Sequence, residues 1–595
     1  MKTTGLLLAL ASAPLGPLYG QWSSDPSASL EIAGDPHAQV QPKIVGTSDG
    51  GSFVSWFDND PAGSPAGGFD VRLQRLDAEG RALWPIGGVL IADRGFSSTQ
   101  DYGLGVDEAD FALLAFRDDR AGGVRITATR VDGTGNQVWG SAGVDVSGAG
   151  GFVASPKIVG TDDGQVVVAW TRDDSTRVAK LDAGSGLSVW PSDVVFTPPS
   201  LSLNLSDLQP SVNGAAIVSM VRSGSFSDPR SLFAQKLSEA GQPLWGVAPV
   251  TIFDSGSLQF GNFPGFVPDD AGGGVFAWYS SSPALQCFAQ RVDASGSLLF
   301  ANGGTPVATD PGLVRVAPDV AFDSTTQSTY VAWSELNSSQ SLSGVRAQRF
   351  DAAGSRLWTD SGLELQALSA DSTGTVNMIP TGPGALVAWS SGNFAAERLL
   401  ASLVPADGSS AGTSLEISTP LTEKGRLAST RLATGQAALV WQDGASSAAN
   451  VLAQNVTDDG VLGPPLSVDV AELSLAAGGS ASFLLQTGTS GAGQLHWLLA
   501  SASGTSPGLP VDGLVLPLAF DALTLATVQT PGSPPFSGYF GALDSTGQST
   551  ASLTLSPGSL SSLAGTTLHH AFAVLDLTLG QVTEVSPAVE LNLAP

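Results

Sequence analysis

The chain reads as all-β: a propeller of about eight blades over residues 28–465, followed by a β-sandwich-like C-terminal domain over residues 466–595. Three observations predict this. A unit of 50 to 60 residues recurs eight times, the signature of a repeat architecture. Within each unit the apolar residues come in segments of four to six, separated by Asp-Gly, Gly-Gly or Ser-Gly turns, and no helical period survives. That spacing predicts about four strands per unit, the content of a propeller blade. The pattern then stops at Gly463-Pro464-Pro465. If one degenerate copy is absorbed elsewhere, the ring has seven blades.

Ahead of the repeats, Lys2, the apolar run Leu6 to Leu10, the small residues Ala11 to Ala13, and Gly20 read as a secretory signal peptide over residues 1–20. Pro14 spoils a site after Ala13, which places cleavage near Gly20. The expected location is therefore extracellular or at the cell surface. No later stretch is apolar enough to span a bilayer as a helix. The 595 residues carry 26 basic and 54 acidic side chains, a net charge of −28 with no Lys/Arg cluster. Nucleic acids and anionic membranes are thereby disfavoured as partners. A single cysteine, Cys287, cannot make an intramolecular disulfide, so stability must rest on burial. In the strand pattern Gln286-Cys287-Phe288-Ala289 it reads as a buried structural thiol.

The first unit runs from Pro42 through a turn at Asp49-Gly50, a strand ending Val54-Ser55-Trp56, a strand Leu73 to Asp77, Gly80, and Leu83-Trp84. The strand-ending aromatic recurs at Phe116, Trp170, Trp278, Trp333, Trp389 and Trp441, with Met220 in the fourth copy. Such large flat side chains are expected to fill the space between neighbouring sheets. The second half recurs as Thr129-Arg130-Val131-Asp132 with Trp139, Gln290-Arg291-Val292-Asp293 with Phe300, and Gln348-Arg349-Phe350-Asp351 with Trp358; copies seven and eight lack the closing Trp. Leu30-Glu31-Ile32, ahead of the first unit, is expected to complete the last blade so that no sheet edge stays open. In the tail, Leu473 to Leu475, Ala481 to Leu485, Leu495 to Leu499 and Leu568 to Leu575 alternate as strands.

The unit W-x-D…A-Q-R-x-D-x-x-G-x-x-L-W, seen at Trp56 to Trp84 and Ala347 to Trp358, resembles a β-propeller repeat of exported bacterial proteins of unassigned function. The tail resembles a recurrent C-terminal β domain of exported bacterial proteins, through Gly504 to Pro510, Gly541-Ala542-Leu543-Asp544 and Leu568-His569-His570-Ala571-Phe572. These resemblances imply a compartment and a shape, and bring no catalytic residues with them.

Motifs that carry chemistry elsewhere have structural readings here. Two G-x-S-x-G segments, Gly46 to Gly50 and Gly504 to Gly508, read as turns. Ser506 precedes Pro507, which has no N–H for an oxyanion hole, and Asp162 stands where a second turn would repeat Ser48. The histidines His37, His496, His569 and His570 read as packing or surface residues rather than a zinc set, with His570 on a buried face beside Leu568, Phe572 and Val574. Aspartates gather after the second strand of several units: Asp58 and Asp60, Asp118 and Asp119, Asp173 and Asp174, and Asp443. Equivalent loops emerge on one face. These side chains are expected to cap turns and pair with the arginine of the next strand, such as Arg75 or Arg130. The sharper alternative is a carboxylate patch for Ca²⁺ or a cationic ligand, but no loop matches the spaced calcium pattern, so no cofactor is assigned.

A fold alone supplies no reaction. The sequence reads as an exported, monomeric, non-catalytic protein binding a protein or glycan. Its alternative is a glycan-active hydrolase or lyase with two carboxylates about 5 to 10 Å apart at the propeller mouth. The sialidase pattern is missing: the spacing from Asp49 to Trp56 does not fit its Asp-box.

Overall fold

The computed structural model describes residues 21–595 apart from 60–66, 97–101, 199–200, 226, 383, 410–413, 489–490 and 560. The expected signal peptide and Asp60 lie outside the described residues.

Strand β1 (Leu30–Ala33) stands apart from the sheet that follows it, an antiparallel meander of β2 (Gln39–Gly46), β3 (Ser52–Asp58), β4 (Asp70–Leu76) and β5 (Val89–Ala92). Six further sheets repeat this order over residues 103–145, 153–196, 202–253, 257–306, 313–369 and 372–422. The eighth has three strands of its own, Lys424–Arg431, Ala437–Asp443 and Asn450–Val456, and takes β1 as its fourth, with Leu30 opposite Ala453. The innermost strand of that sheet packs on β2, so the chain returns to its start and forms a β-propeller. Leu30-Glu31-Ile32 does occupy the ring-closing position.

Burial on both faces explains the composition of the second strands. All seven residues of β3 are buried because neighbouring sheets cover both sides. Trp56, Trp170, Trp278, Trp333, Trp389 and Trp441 are fully buried. Trp56 packs with Val440 and Ala453 of the eighth sheet, in the space between sheets that the sequence predicts.

The repeat motif is an inter-sheet joint. Gln74 accepts the N–H of the closing residue Trp84 at 3.2 Å, and Gln235, Gln290 and Gln348 do the same for Trp245, Phe300 and Trp358. The following aspartate closes a tight turn: Asp132 Oδ1 accepts the N–H groups of Thr134 and Asn136. The turn glycine then lies beneath the closing aromatic of the preceding sheet. At Gly296, where φ is +88°, a Cβ would stand 2.7 Å from Trp245. The indoles of Trp84, Trp139, Trp190 and Trp245 each donate to a carbonyl in the next sheet's turn, at Gly133, Ala183, Glu239 and Ala294. Although copy eight lacks its tryptophan, the joint is still made. Trp22, from ahead of β1, covers Gly80 and donates to the Ala78 carbonyl at 3.1 Å.

Beyond residue 465 lie two larger sheets. One joins the strands 466–468, 479–486, 548–555 and 536–537; the other joins 472–474, 589–594, 567–576, 495–501 and 540–542, with 581–585 on the side. Both contribute to one core, Phe483 and Leu553 from the first meeting Leu498, Phe572 and Leu591 from the second. Helix α1 (Ala522–Gln529) is capped by Asp521, whose side chain accepts the N–H groups of Leu523 and Thr524. Among the described residues no helix is long and apolar enough to cross a membrane.

Candidate functional site

Each propeller sheet has a turn end, where β2 meets β3 and β4 meets β5 or their equivalents, and a loop end, where β3 meets β4 and one sheet passes to the next. The sequence-predicted aspartates stand at the loop end. Asp58, Asp118 and Asp443 are the last residues of their strands, while Asp173 and Asp174 form a two-residue turn.

Their expected partners are corrected. Arg75 binds Asp49 at 2.6 Å, and Arg130 binds Asp107 at 2.6 Å. Both acceptors belong to turn-end loops. The reason is strand direction: β3 and β4 are antiparallel, so Asp58 lies opposite Asp70 at the loop end while Arg75 lies opposite Phe53 near the turn end. Asp58 instead meets Arg72 at 3.5 Å. Asp118 chelates Arg120 through both oxygens, at 3.0 and 2.9 Å. Burial works against the charged form, yet the Arg120 hydrogen bonds and charge hold this carboxyl below its ordinary range. Asp119 accepts the Gly95 N–H at 3.0 Å, and Asp173 the Phe152 N–H at 2.9 Å. The Asp174 carbonyl accepts from Leu203 N–H. Asp443 accepts from Thr422 at 2.7 Å and the Trp441 indole at 2.9 Å, and ion-pairs with Lys424. The described aspartates therefore share an end of the propeller, and the side chains of Asp58, Asp118, Asp119, Asp173 and Asp443 are each tied locally. Among the described residues no three His, Cys, Asp or Glu side chains are arranged to hold a metal ion.

A polar seam that sequence reasoning missed joins Asp443 to Glu397. Lys424 donates its backbone N–H to Glu397 at 3.1 Å while its ammonium serves Asp443. Burial lowers the Lys424 pKa and raises that of Glu397. Glu397 and Lys424 are both buried, so the seam binds the seventh sheet to the eighth.

The loop end also carries exposed phenylalanines: Phe152, Phe260, Phe263 and Phe394 are between 47% and 76% exposed. At the turn end the exposed large apolar residues described are aliphatic, among them Leu83, Leu187, Leu244, Val247 and Leu357. Among the described residues, Phe260 and Phe263 belong to the one sheet whose inner strand is interrupted. There Ser257–Leu258 and Phe266–Pro268 both pair with Gly274–Ser282, and residues 259–265 project between them. Two contacts fix the base of this loop: Ser206 donates to the Pro264 carbonyl at 2.8 Å, and Asp207 accepts the Phe266 N–H at 3.2 Å. Arginines lie against the rings, Arg230 at 4.7 Å from the Phe260 centroid and Arg117 at 5.7 Å from that of Phe152. Toward the turn end, by contrast, the inner strands of the first four sheets border a cavity of about 410 Å³ lined in part by Lys43, Lys157 and Asp207.

The remaining motifs take their structural readings. Ser48 hydrogen-bonds Asp110 of the next sheet's turn. Ser506 is exposed, and a strand at Leu509–Val511 follows it where an elbow needs a helix. Cys287 is buried, which pushes its thiol pKa well up. His570 is buried against Phe483, ring centroids 4.4 Å apart, and burial lowers its pKa to about 3. His569 reaches Glu590 at 3.3 Å and His37 reaches Asp35 at 3.3 Å.

No protein-family profile and no curated protein matches the chain. Among solved structures it is similar to the polysaccharide lyase Uly1, with 9% identity, a TM-score of 0.37, and coverage of 76% of this chain and 94% of that one. It is also similar to the GH93 α-L-arabinofuranosidase of Fusarium graminearum, with 11% identity, a TM-score of 0.32, and coverage of 51% and 93%. The Dos1 propeller gives 11% identity, a TM-score of 0.40, and coverage of 72% and 94%.

Proposed function

We propose that the chain is an exported, non-catalytic binding protein, an eight-bladed propeller with an independently folding β-sandwich-like C-terminal domain over residues 466–595. It acts outside the cell or at its surface, as a monomer, and binds a glycan or protein surface through the loop end. The leader-like residues 1–20 and the resemblance to exported bacterial repeats support the compartment.

The observation that carries the reading is the placement of exposed aromatic side chains. Phe260 and Phe263 sit on the loop that departs from the repeat, and Phe152 and Phe394 occupy the same end. Rigid aromatic rings with arginine beside them are favoured at binding surfaces because they bury much area for little conformational entropy. A catalytic reading asks more of the carboxylates. A general acid must stay protonated near neutrality and reach a substrate; Asp118 is held the other way, and Glu397, whose pKa burial raises, is shut inside the seam between two sheets. This reading invokes no cofactor.

A glycan array and a pull-down from envelope fractions, each run with the purified full chain and with Phe260→Ser/Phe263→Ser, provide the test. Binding lost in the double variant is expected. Turnover of a polysaccharide by the purified protein would overturn the non-catalytic assignment.

A further inference from the structure

We propose that the C-terminal unit holds a pocket for the hydrocarbon chain of a small, uncharged amphiphile. The pocket encloses about 340 Å³, within the range of small-ligand sites. Trp497, Leu499, Leu516, Val528, Phe540 and Leu575 form most of its wall, drawn from the second sheet, from α1 and from the hairpin Leu509–Val511/Leu514–Leu516. That hairpin pairs with neither large sheet and packs over Leu499 and Ala571. The two rings are set edge to face at 5.3 Å, and the Trp497 indole is directed to the Thr527 carbonyl at 3.5 Å.

The wall offers nothing to a charged group. The one titratable residue at its edge, His496, alternates with Trp497 and Leu499 on its strand and lies opposite Val574 of the core, so its imidazole is buried on the other face of the sheet. A ligand must therefore place an apolar chain inside and keep its polar head at the rim, where Val528 and Phe540 are partly exposed. Charge also decides between occupants. Two chains of net charge −28 repel each other, as would an anionic lipid surface, whereas a neutral amphiphile meets no such barrier.

Calorimetric titration of the full chain with the n-alkanols from hexanol to decanol tests this. Saturable one-to-one binding is expected, with affinity rising about fourfold per added methylene until the cavity is full. Val528→Trp, at the rim, and Ala573→Phe, in the wall, are each expected to weaken decanol binding at least about tenfold, by occupying the space the chain needs. If Ala573→Phe fails to fold by circular dichroism, Val528→Trp decides, since its side chain starts 36% exposed. The proposal falls if no saturable heat appears, if affinity does not depend on chain length, or if Val528→Trp leaves binding unchanged. It also falls if sedimentation shows a dimer that Val528→Trp dissociates, since a second copy would then be the occupant.

Discussion

The two ends of the propeller are made from the same strands under opposite rules. At the turn end the repeated residues keep recurring roles: glutamine holds the closing aromatic, aspartate shapes the turn, arginine or lysine reaches a turn aspartate in four sheets and other turn-end groups in two more, and glycine makes room for the neighbour's ring. At the loop end nothing recurs so strictly. Aspartates find local partners of different kinds, and phenylalanines stand in solvent. Repetition marks what the ring needs in order to close, and departure from it marks where the chain has been free to vary.

Substitutions at the two ends should separate sharply. The largest effect is expected from Trp22→Ala, which removes the joint between the last sheet and the first; it should cost about 3 to 5 kcal/mol in urea unfolding, as much as Trp84→Ala inside the ring. A negligible effect would mean that the ring does not depend on its N-terminal segment. Arg291→Met should cost about 3 kcal/mol because it leaves the Asp269 charge buried beside an apolar chain, and adding Asp269→Asn should recover part of the loss, since the amide oxygen carries no charge and still accepts the Ala271 and Gly273 N–H groups. Gly296→Ala, which forces a side chain into a left-handed conformation against Trp245, should cost about 1 to 3 kcal/mol. Phe260→Ser/Phe263→Ser should sit at the bottom of this scale, within about 0.5 kcal/mol of the parent, while weakening ligand binding at least about tenfold. A large stability loss there would make the two ends alike and remove the functional reading of the loop.

The sequence made the turn end legible because its residues recur at fixed offsets, and a recurring offset reports a recurring contact. Trp22 escaped notice since it lies ahead of the first copy and completes a unit that ends more than four hundred residues later. The arginine partners were misassigned for a different reason: nearness in sequence favoured Asp58 for Arg75, whereas antiparallel register carries them to opposite ends of one strand pair. Phe260 and Phe263 gave no signal at all. A loop inserted once has no period, and exposure is a property of the assembled sheet rather than of the residues around it.

The pairing of β1 with the last sheet also sets a schedule for the molecule. Leu30 must wait for Ala453, whereas Ser52 meets Leu76 within its own unit. In equilibrium terms the delay is cheap: each doubling of a loop adds about 0.6 kcal/mol of closure entropy, so the longer span costs roughly 2 to 3 kcal/mol more than the shorter one. In time it is long, because such a distant contact forms only after the local ones. A chain emerging N-terminus first would carry β1 as an unpaired edge throughout its synthesis, and resistance to proteolysis should arrive in a single step when the final repeat captures it.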